Sequence, residues 1–483
     1  MAEEVELKLA VTPEAAAAIE GSGLLPGEAL CVRQSSIYFD TADRALARTG
    51  SSLRIRKTGR KRVQTIKLAG ASTAGLFARS EWERPVKDDK PILDADTPLL
   101  AILDGDVDAI APVFNVEMNR RIWTIVADDA VIEMVLDRGH VVAGDRRSSI
   151  CEIELELKSG GSAALFAFAR KLDAVAPVRL GVLAKAERGY RLAGPAPTLM
   201  KAEAVLLAEG MTAAQAFAAI AQNCIRQFRL NETLYLAEGG APALHQARVA
   251  LRRLRSAFSI FRPIIGVSGA LLAADLRWLA SELGEARNLD VLLARIGPGP
   301  FHDRVASARE AAHRRVAEVL ALPRTRQLML DLAEWIARGD WSGSPDVANG
   351  DVRVGAFAIA ALDRCYRRAK KRGRNLVNLG DVRRHEARKA AKKLRYAAEF
   401  FESLFVRKRD RKRYARFIAA LQALQDQLGA LNDLATAALV LEKLGVTCDP
   451  EASPLTAEDQ KRKLLRAAET AHSQMIDLKR FWR

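Results

Sequence analysis

Glu4, Glu6 and Lys8 occupy every second position of "EEVELKLAV", with Val5, Leu7 and Leu9 between them. Alternate side chains of a strand share a face, so two acids and a base stand on one side and three apolar residues on the other. "SICEIELELKSG" repeats the code, with Glu152, Glu154, Glu156 and Lys158 on one face and Ile153, Leu155 and Leu157 on the other. Between them, "SSLRIRKTG" supplies Arg54 and Arg56, "QTIKLAG" supplies Lys67, and "FARSEWERPV" alternates Arg79, Glu81 and Glu83 with Ser80, Trp82 and Arg84. One such strand describes an ordinary sheet with a wet face. Four or more of them point to a sheet closed into a barrel, whose charged faces turn inward around a polar lumen. Carboxylates bind Mg2+ or Mn2+ through hard oxygens, and arginines and lysines take the charge of phosphates that such ions bridge. A triphosphate with its metal ions fits that description.

The elements that must position these residues alternate around 4–11, 32–39, 52–57, 62–68, 79–86, 113–125, 130–136, 140–143 and 150–158, punctuated by Gly, Asp and Ser. Short helices are predicted near 13–20 and 162–173, and "AGPAPT" at 193–198 reads as a linker. From about residue 200 the apolar period becomes 3.6, alanine and leucine dominate, and the remainder reads as all-α. "RGDWSGSPDVANGDVRVG", 338–355, divides this part into two halves, about 205–340 and 352–483. The halves repeat each other. "HQARVALRRLRSAFSIF" from His245 aligns with "HEARKAAKKLRYAAEFF" from His385, and each is followed by a Leu-Gly turn, in "ELGEARNLDVL" and "QLGALNDLATA". Duplication of a four-helix unit is the simplest account.

The 483 residues suffice for two or three domains. Of 75 Lys+Arg and 59 Asp+Glu, residues 1–200 hold 27 and 28, which leaves 48 and 31 for the rest. All of the +16 net charge therefore lies in the helical part, whose expected partner is a polyanion. No apolar run approaches the roughly 18 residues of a membrane span and no signal peptide precedes the first strand, so no membrane partner and a cytoplasmic location are expected. The cysteines at 31, 151, 224, 365 and 448 form no CxxC pair, and the six histidines no zinc-type cluster, so neither a zinc site nor a disulfide framework is indicated.

Winding the first repeat helix from His245 puts Arg248, Arg252, Arg253 and Arg255 on one side with the histidine, opposite Ala247, Ala250, Leu251, Leu254, Phe258 and Phe261. The second copy groups His385, Arg388, Lys389, Lys392, Lys393 and Arg395 in the same way. A solvated helix face usually mixes signs, whereas these two hold almost no acid, and like charges so packed cost stability unless an anion neutralises them. Two such helices side by side would make a continuous basic groove, with the histidines as core residues, phosphate donors or extra cations. Nucleic-acid binders interleave aromatics for stacking, yet Tyr396 is the sole aromatic near either basic stripe. Inorganic polyphosphate fits better than RNA or DNA.

These motifs carry a resemblance. Residues 1–197 resemble the CYTH group of triphosphate tunnel metalloenzymes: "EVELKL" is similar to its ExExK signature, followed in order by "YFDT", "LRIRK", "TIK", "RSEWE", "NRRIWT", "LDRG", "EIELELK" and "AKAERGYRL". Residues 205–483 resemble the CHAD module, a histidine-containing helical domain, through the two basic repeats. The resemblance implies an α+β two-domain protein, with an eight-stranded antiparallel tunnel and flanking helices followed by two duplicated four-helix units. It implies hydrolysis of inorganic triphosphate to pyrophosphate and phosphate, and association of the helical part with inorganic polyphosphate, including at polyphosphate granules. Carried over by position, Glu4, Glu6, Glu152, Glu154 and Glu156 are the candidate metal ligands. Lys8, Arg54, Arg56, Lys67, Arg79, Arg120, Lys185 and Arg188 are the phosphate ligands, and Glu81 and Glu83 contact metal or orient the attacking water. Three other readings stay open: an organic triphosphate as substrate, a polyphosphate scaffold without turnover, and a nucleic-acid binder.

Overall fold

In the computed structural model of the chain, residues 3–68, 71–72, 75–94, 96–103, 109–127, 129–339, 341, 352–443 and 458–483 are described. Within them, the side chains of 3, 4, 71, 72, 78–80 and 101 stand outside the description. Two compact units emerge, Met1–Thr198 with Pro323–Arg338, and Leu199–Leu322 with Gly339–Arg483.

The first unit is α+β. Its strands are β1 (Glu3–Ala10), β2 (Leu30–Asp40), β3 (Ser52–Thr58), β4 (Lys61–Lys67), β5 (Ala71–Ser72), β6 (Leu76–Pro85), β7 (Ala111–Ala127), β8 (Ala130–Ala143), β9 (Arg146–Ser159) and β10 (Arg179–Leu180). They pair antiparallel in the order β10-β1-β9-β8-β7-β2-β3-β4-β6-β5, and β1 also pairs with β6. That last pairing closes β1, β9, β8, β7, β2, β3, β4 and β6 into an eight-stranded ring, with β5 and β10 as short additions. Among the described residues of its N-terminal stretch, the helices around it are α1 (Pro13–Gly21), α2 (Ala45–Arg48), α3 (Leu100–Leu103), α4 (Ala163–Val175) and α5 (Lys185–Leu192).

Alternation along each strand separates two environments. On the outer face Phe39, Leu53, Ile55 and Ile66 bury against Leu46 of α2, Leu103 of α3 and Leu99 just before it. The buried Asp40 of "YFDT" starts α2 by accepting the amide hydrogens of Leu46 at 2.9 Å and Ala47 at 3.0 Å. At one end of the inner face Tyr38, Phe114, Val116, Met118, Val141, Ala143, Ile150 and Tyr190 form an apolar plug. Tyr190 belongs to α5, and α5 comes so close to β7 that a Cβ on Gly189 would stand 2.1 Å from the Phe114 ring. Most of the rest of the inner face is polar, with Val135 set between Glu133 and Asp137 on β8.

The expected break between 130–136 and 140–143 is absent, because β8 runs unbroken through Gly139. A Cβ there would lie 2.0 Å from the carbonyl oxygen of Glu117, so this glycine marks a close approach of backbones and not a turn.

The second unit is helical: α6 (Ala213–Glu238), α7 (Ala241–Ile260), α8 (Arg262–Ile265), α9 (Ala270–Glu282), α10 (Gly284–Leu293), α11 (Pro300–Ala321), then α13 (Val354–Arg372), α14 (Asp381–Phe400), α15 (Lys408–Lys443) and α16 (Glu458–Asp477), while α12 (Pro323–Arg338) belongs to the first unit. The duplication is visible as α6, α7, α9 with α10, and α11 in one half, against α13, α14, α15 and α16 in the other. The two Leu-Gly pairs differ: the helix breaks at Leu283 before Gly284, whereas Gly429 lies inside the uninterrupted α15. At the first, Arg248 Nη1 donates to the Ala280 carbonyl at 3.1 Å, taking up the acceptor one turn before Gly284. The helix α12, left over from the duplication, packs on α4 and β10. Its buried Arg326 donates from Nε to Asp173 of α4 at 2.5 Å, and Arg170 pairs with Asp331 at 2.6 Å. Residues 340 and 342–351 of the expected break, and Cys448, lie outside the described residues. Among the described residues, Cys31, Cys151, Cys224 and Cys365 are free thiols, and no helix is long and apolar enough to cross a membrane.

Candidate active site and basic groove

A cavity of about 360 Å³ occupies the polar part of the ring. Seven cationic side chains line it, Lys8, Arg54, Arg56, Lys67, Arg120, Lys158 and Lys185, against six acids, Glu6, Glu81, Glu83, Glu133, Glu154 and Glu156. The charges interleave because each strand delivers every second residue to the lumen.

The deepest layer is an ion cluster. Lys185 heads α5 and its Nζ lies 2.7 Å from one oxygen each of Asp137, Glu152 and Glu154. Arg120 grips Asp137 with Nε at 2.8 Å and Nη2 at 2.7 Å, and Nη2 also reaches Glu154 at 3.1 Å. Lys8 contacts Glu154 and lies 3.1 Å from Glu6. Burial alone would drive each of these groups toward its neutral form, but the paired charges win. Lys185 stands well above the usual lysine range because of Asp137, Glu152 and Glu154, and Lys8 is raised by Glu154 and Glu6. Glu154 is held well below the carboxylate range by Lys185, Lys8 and Arg120, and Asp137 is lowered by Lys185 and Arg120.

The opposite wall is built from β3, β4 and β6. Arg54 lies 3.7 Å and Lys67 3.3 Å from Glu81, while Glu83 accepts from Arg56 at 3.0 Å and from the Thr65 hydroxyl at 2.8 Å. Burial lowers the Arg54 pKa less than Tyr38 and Glu81 raise it, whereas at Arg56 burial and the neighbouring Arg54 leave a net lowering.

The structure thus brings Glu6, Lys8, Arg54, Arg56, Lys67, Glu81, Glu83, Arg120, Glu154, Glu156 and Lys185 into one cavity. Glu152 and Arg188 meet each other at 3.4 Å, with Glu152 turned to Lys185 and not to the open space. Glu4 and Arg79 lie outside the described side chains. Sequence reasoning missed Asp137, Glu133, Thr65 and Tyr38. On β8 the valine at 135 interrupts the alternation of acids at 133 and 137, so that strand hides its code.

Do these residues fit a divalent cation? Asp137, Glu152 and Glu154 offer oxygens within 4.8 Å of one another, but the ammonium of Lys185 already stands among them. The carboxylates facing the open cavity fit better, notably Glu6 and Glu156, which are cross-strand partners on β1 and β9. Among the described lining residues the cavity carries about one net positive charge, so a triphosphate would need added cations to be neutralised.

In the second unit a groove of about 730 Å³ draws on both repeat helices. Of the residues read as polyphosphate ligands, His245, Arg252, Arg253, Arg388, Lys392 and Arg395 line it. The others do not line it: Arg248 donates to the Ala280 carbonyl, His385 meets Asn432, Lys389 meets Glu386, Lys393 meets Ser259, and Arg255 is absent from the lining. Nor is the lining free of acid, because other segments contribute Glu203, Glu402 and Asp426, and Glu399 of α14 holds Arg253 at 2.8 Å and Arg395 at 2.7 Å. Arg253 is buried and not part of an exposed stripe. Burial, with Arg252 and Arg388, pushes Lys392 down to about 6. Burial, with Arg287 and Arg252, pushes His245 down to about 4, so its imidazole is neutral. His245 Nδ1 accepts from Arg287 Nε at 3.2 Å, which leaves the proton on Nε2.

A closed antiparallel barrel with a lumen of interleaved acids and bases, followed in the chain by a duplicated helical unit, defines a tunnel protein with a basic helical module. The chain carries a CYTH domain, matched by its family model over residues 2–190, and a CHAD domain, matched over 219–442. An inorganic triphosphatase of Haemophilus influenzae is 32% identical over 203 residues, which span 40% of this chain and 55% of that protein. The chain thus covers just over half of that relative's length. Among solved structures, the CHAD domain of the plant Ricinus communis is 29% identical, covering 58% of this chain and 97% of its own, with a TM-score of 0.49. A Hippeastrum protein described as a candidate adenylyl cyclase with a dominant triphosphatase activity is 20% identical, covering 38% of this chain and 92% of its own, with a TM-score of 0.29.

Proposed function

We propose that the first unit hydrolyses inorganic triphosphate to pyrophosphate and orthophosphate inside its lumen. The observation that carries this reading is the lumen cavity whose wall sets seven cations among six carboxylates. Tyr38 is the only aromatic among its described lining residues, and that ring is already stacked on Phe114 with centroids 4.6 Å apart. A base or a thiazolium therefore has no aromatic partner there, which favours an inorganic over an organic triphosphate.

Phosphoryl transfer asks a protein mainly for positioning and neutralisation of charge. Arg54, Arg56 and Lys67 on one wall and Lys8, Arg120 and Lys185 on the other would bind the phosphate oxygens in a fixed row. A divalent cation, Mg2+ or Mn2+, held by Glu6 and Glu156 with Glu4 as the sequence implies, would add charge neutralisation across the phosphates. Glu83, held by Arg56 and Thr65, and Glu81, held by Lys67, would accept a hydrogen bond from water and orient it. The ion cluster behind Lys185 holds the cations in register before substrate arrives, so little reorganisation is left for the reaction.

The second unit, in the same reading, binds inorganic polyphosphate in its groove. A lysine pushed down to about 6 and an imidazole kept neutral at the junction of two basic helices are a site short of anionic charge. The compartment this reading implies is the cytoplasm, at polyphosphate granules. Phosphate release from tripolyphosphate, ATP and thiamine triphosphate, with cyclic AMP measured alongside, tests the substrate. Tripolyphosphate should be turned over fastest; preference for either organic triphosphate would overturn the inorganic assignment.

A further inference from the structure

β1 and β9 carry the same pattern, Glu4-x-Glu6-x-Lys8 and Glu154-x-Glu156-x-Lys158. The strands run antiparallel, with Glu6 opposite Glu156 and Lys8 opposite Glu154, so the two lysines fall at opposite ends of one wall of the lumen. Each makes the same pair of contacts. Lys8 Nζ meets Glu6, two residues back on its own strand, and Glu154 on the neighbouring strand. Lys158 Nζ lies 2.6 Å from Glu156, two residues back, and 3.5 Å from Glu133 on the neighbouring strand.

Exposure shows which end opens. Along the inward row of β9 it climbs steadily, from 4% at Glu152 through 10% at Glu154 and 25% at Glu156 to 42% at Lys158. Lys158 lines the same cavity as Lys8, but at its mouth. In the eight-stranded ring β9 and β3 are diametrically opposed, four strands apart in either direction. The outermost lumen cation of β3 is Arg56, held back by Glu83. Among the described residues, Lys158 and Arg56 thus stand toward the mouth on opposed strands, each paired with carboxylates of the wall.

We propose that Lys158 is a substrate ligand, the one that binds the phosphate group nearest the mouth, opposite Arg56. It rests on the triphosphate reading of the lumen. A phosphate oxygen draws the ammonium away from Glu133 and Glu156, exchanging one charge-assisted contact for another, and leaves the carboxylate of Glu156 facing the interior. The flexible four-carbon stem and the exposure of Lys158 allow that swing, whereas the buried Lys8 stays fixed. Because the contact is made equally before and during reaction, it belongs to binding and not to the chemical step.

The test is steady-state hydrolysis of tripolyphosphate with Mg2+ by the full chain, comparing Lys158→Ala and Lys158→Arg with the unaltered protein, together with inhibition by pyrophosphate. Lys158→Ala should raise KM about tenfold, the weight of one charged hydrogen bond. Its kcat should stay within about twofold of the unaltered value, the pattern of lost uniform binding. Lys158→Arg should restore most of the loss. The inhibition constant of pyrophosphate, which can seat itself on the inner cations, should change less than KM. An unchanged KM in Lys158→Ala, or a fall in kcat alone, overturns the assignment, and an equal rise in both constants overturns its placement at the mouth. Absence of turnover by the unaltered chain would instead overturn the triphosphatase reading on which it rests.

Discussion

Lys185 Nζ lies 2.7 Å from Glu154 Oε1, joining the first residue of α5 to the middle of β9 deep inside the ring. The same ammonium reaches Asp137 and Glu152, so one short helix both plugs the barrel with Tyr190 and neutralises three buried carboxylates. In the proposed reading, stability and substrate binding meet in this residue.

Replacing Lys185 with methionine keeps the volume and removes the charge. Asp137 and Glu154 would then be left to Arg120 and Lys8, and Glu152 to Arg188 at 3.4 Å, and breaking a buried ion pair from one side costs about 3–5 kcal/mol. Urea unfolding of Lys185→Met should show a loss of that size, and a loss below about 1 kcal/mol would mean that the cluster relaxes by taking up protons.

The cluster should also shape stability against pH. Glu154 and Asp137 have folded pKa values below their unfolded ones, so their contribution is present above about pH 5 and is lost as pH falls through the folded values. Lys185 and Lys8 are raised, so theirs is present below about pH 10 and is lost as pH rises through the folded values. The urea midpoint of the first unit's transition should be flat between those limits and fall on both sides, with a shallower acid limb in Lys185→Met.

Much of this was legible in the sequence. The alternation of Glu6 and Lys8, of Arg54 and Arg56, and of Glu154 and Glu156 defined an enclosed charged face, and eight strands do close around it. What stayed hidden depends on partners remote in the chain. Helical winding placed Arg253 with the basic stripe, but Glu399, 146 residues away, draws it into the core. The acid of Asp137 is separated from Glu133 by a valine and gained meaning only when β8 paired with β7 and β9. Nothing in the sequence of α12 announced that it would leave its duplicated neighbours, because its pairing depends on Asp173, 153 residues earlier.

That pairing makes its own prediction. Arg326 and Asp173 are both buried, and Asp173 also accepts the amide hydrogen of Val178 at 3.1 Å, next to β10. Arg326→Ala in the full chain should lower the stability of the first unit by about 3 kcal/mol. Restoring that stability by adding Asp173→Asn would show that the unpaired charge causes the loss. If Arg326→Ala leaves the first transition in place, α12 does not contribute to that unit's stability.

Binding of polyphosphate should take up protons. Lys392, down at about 6 in the free groove, is mostly neutral at pH 7.5, and a bound anion favours its charged form. Affinity should therefore fall as pH rises above 6, and calorimetry in buffers of different ionisation enthalpy should register uptake of up to one proton. Lys392→Ala should abolish that uptake, while Arg252→Ala should weaken binding and reduce its salt dependence. Binding with no proton uptake would place the polymer elsewhere.

The most direct test of the lumen as a triphosphatase is phosphorus NMR of the full chain with tripolyphosphate and Mg2+ or Mn2+. Equimolar orthophosphate and pyrophosphate should appear only when the metal is present, and both Glu6→Gln and Arg54→Ala should slow their appearance at least about a hundredfold. No metal-dependent turnover, or turnover indifferent to both substitutions, would contradict the account.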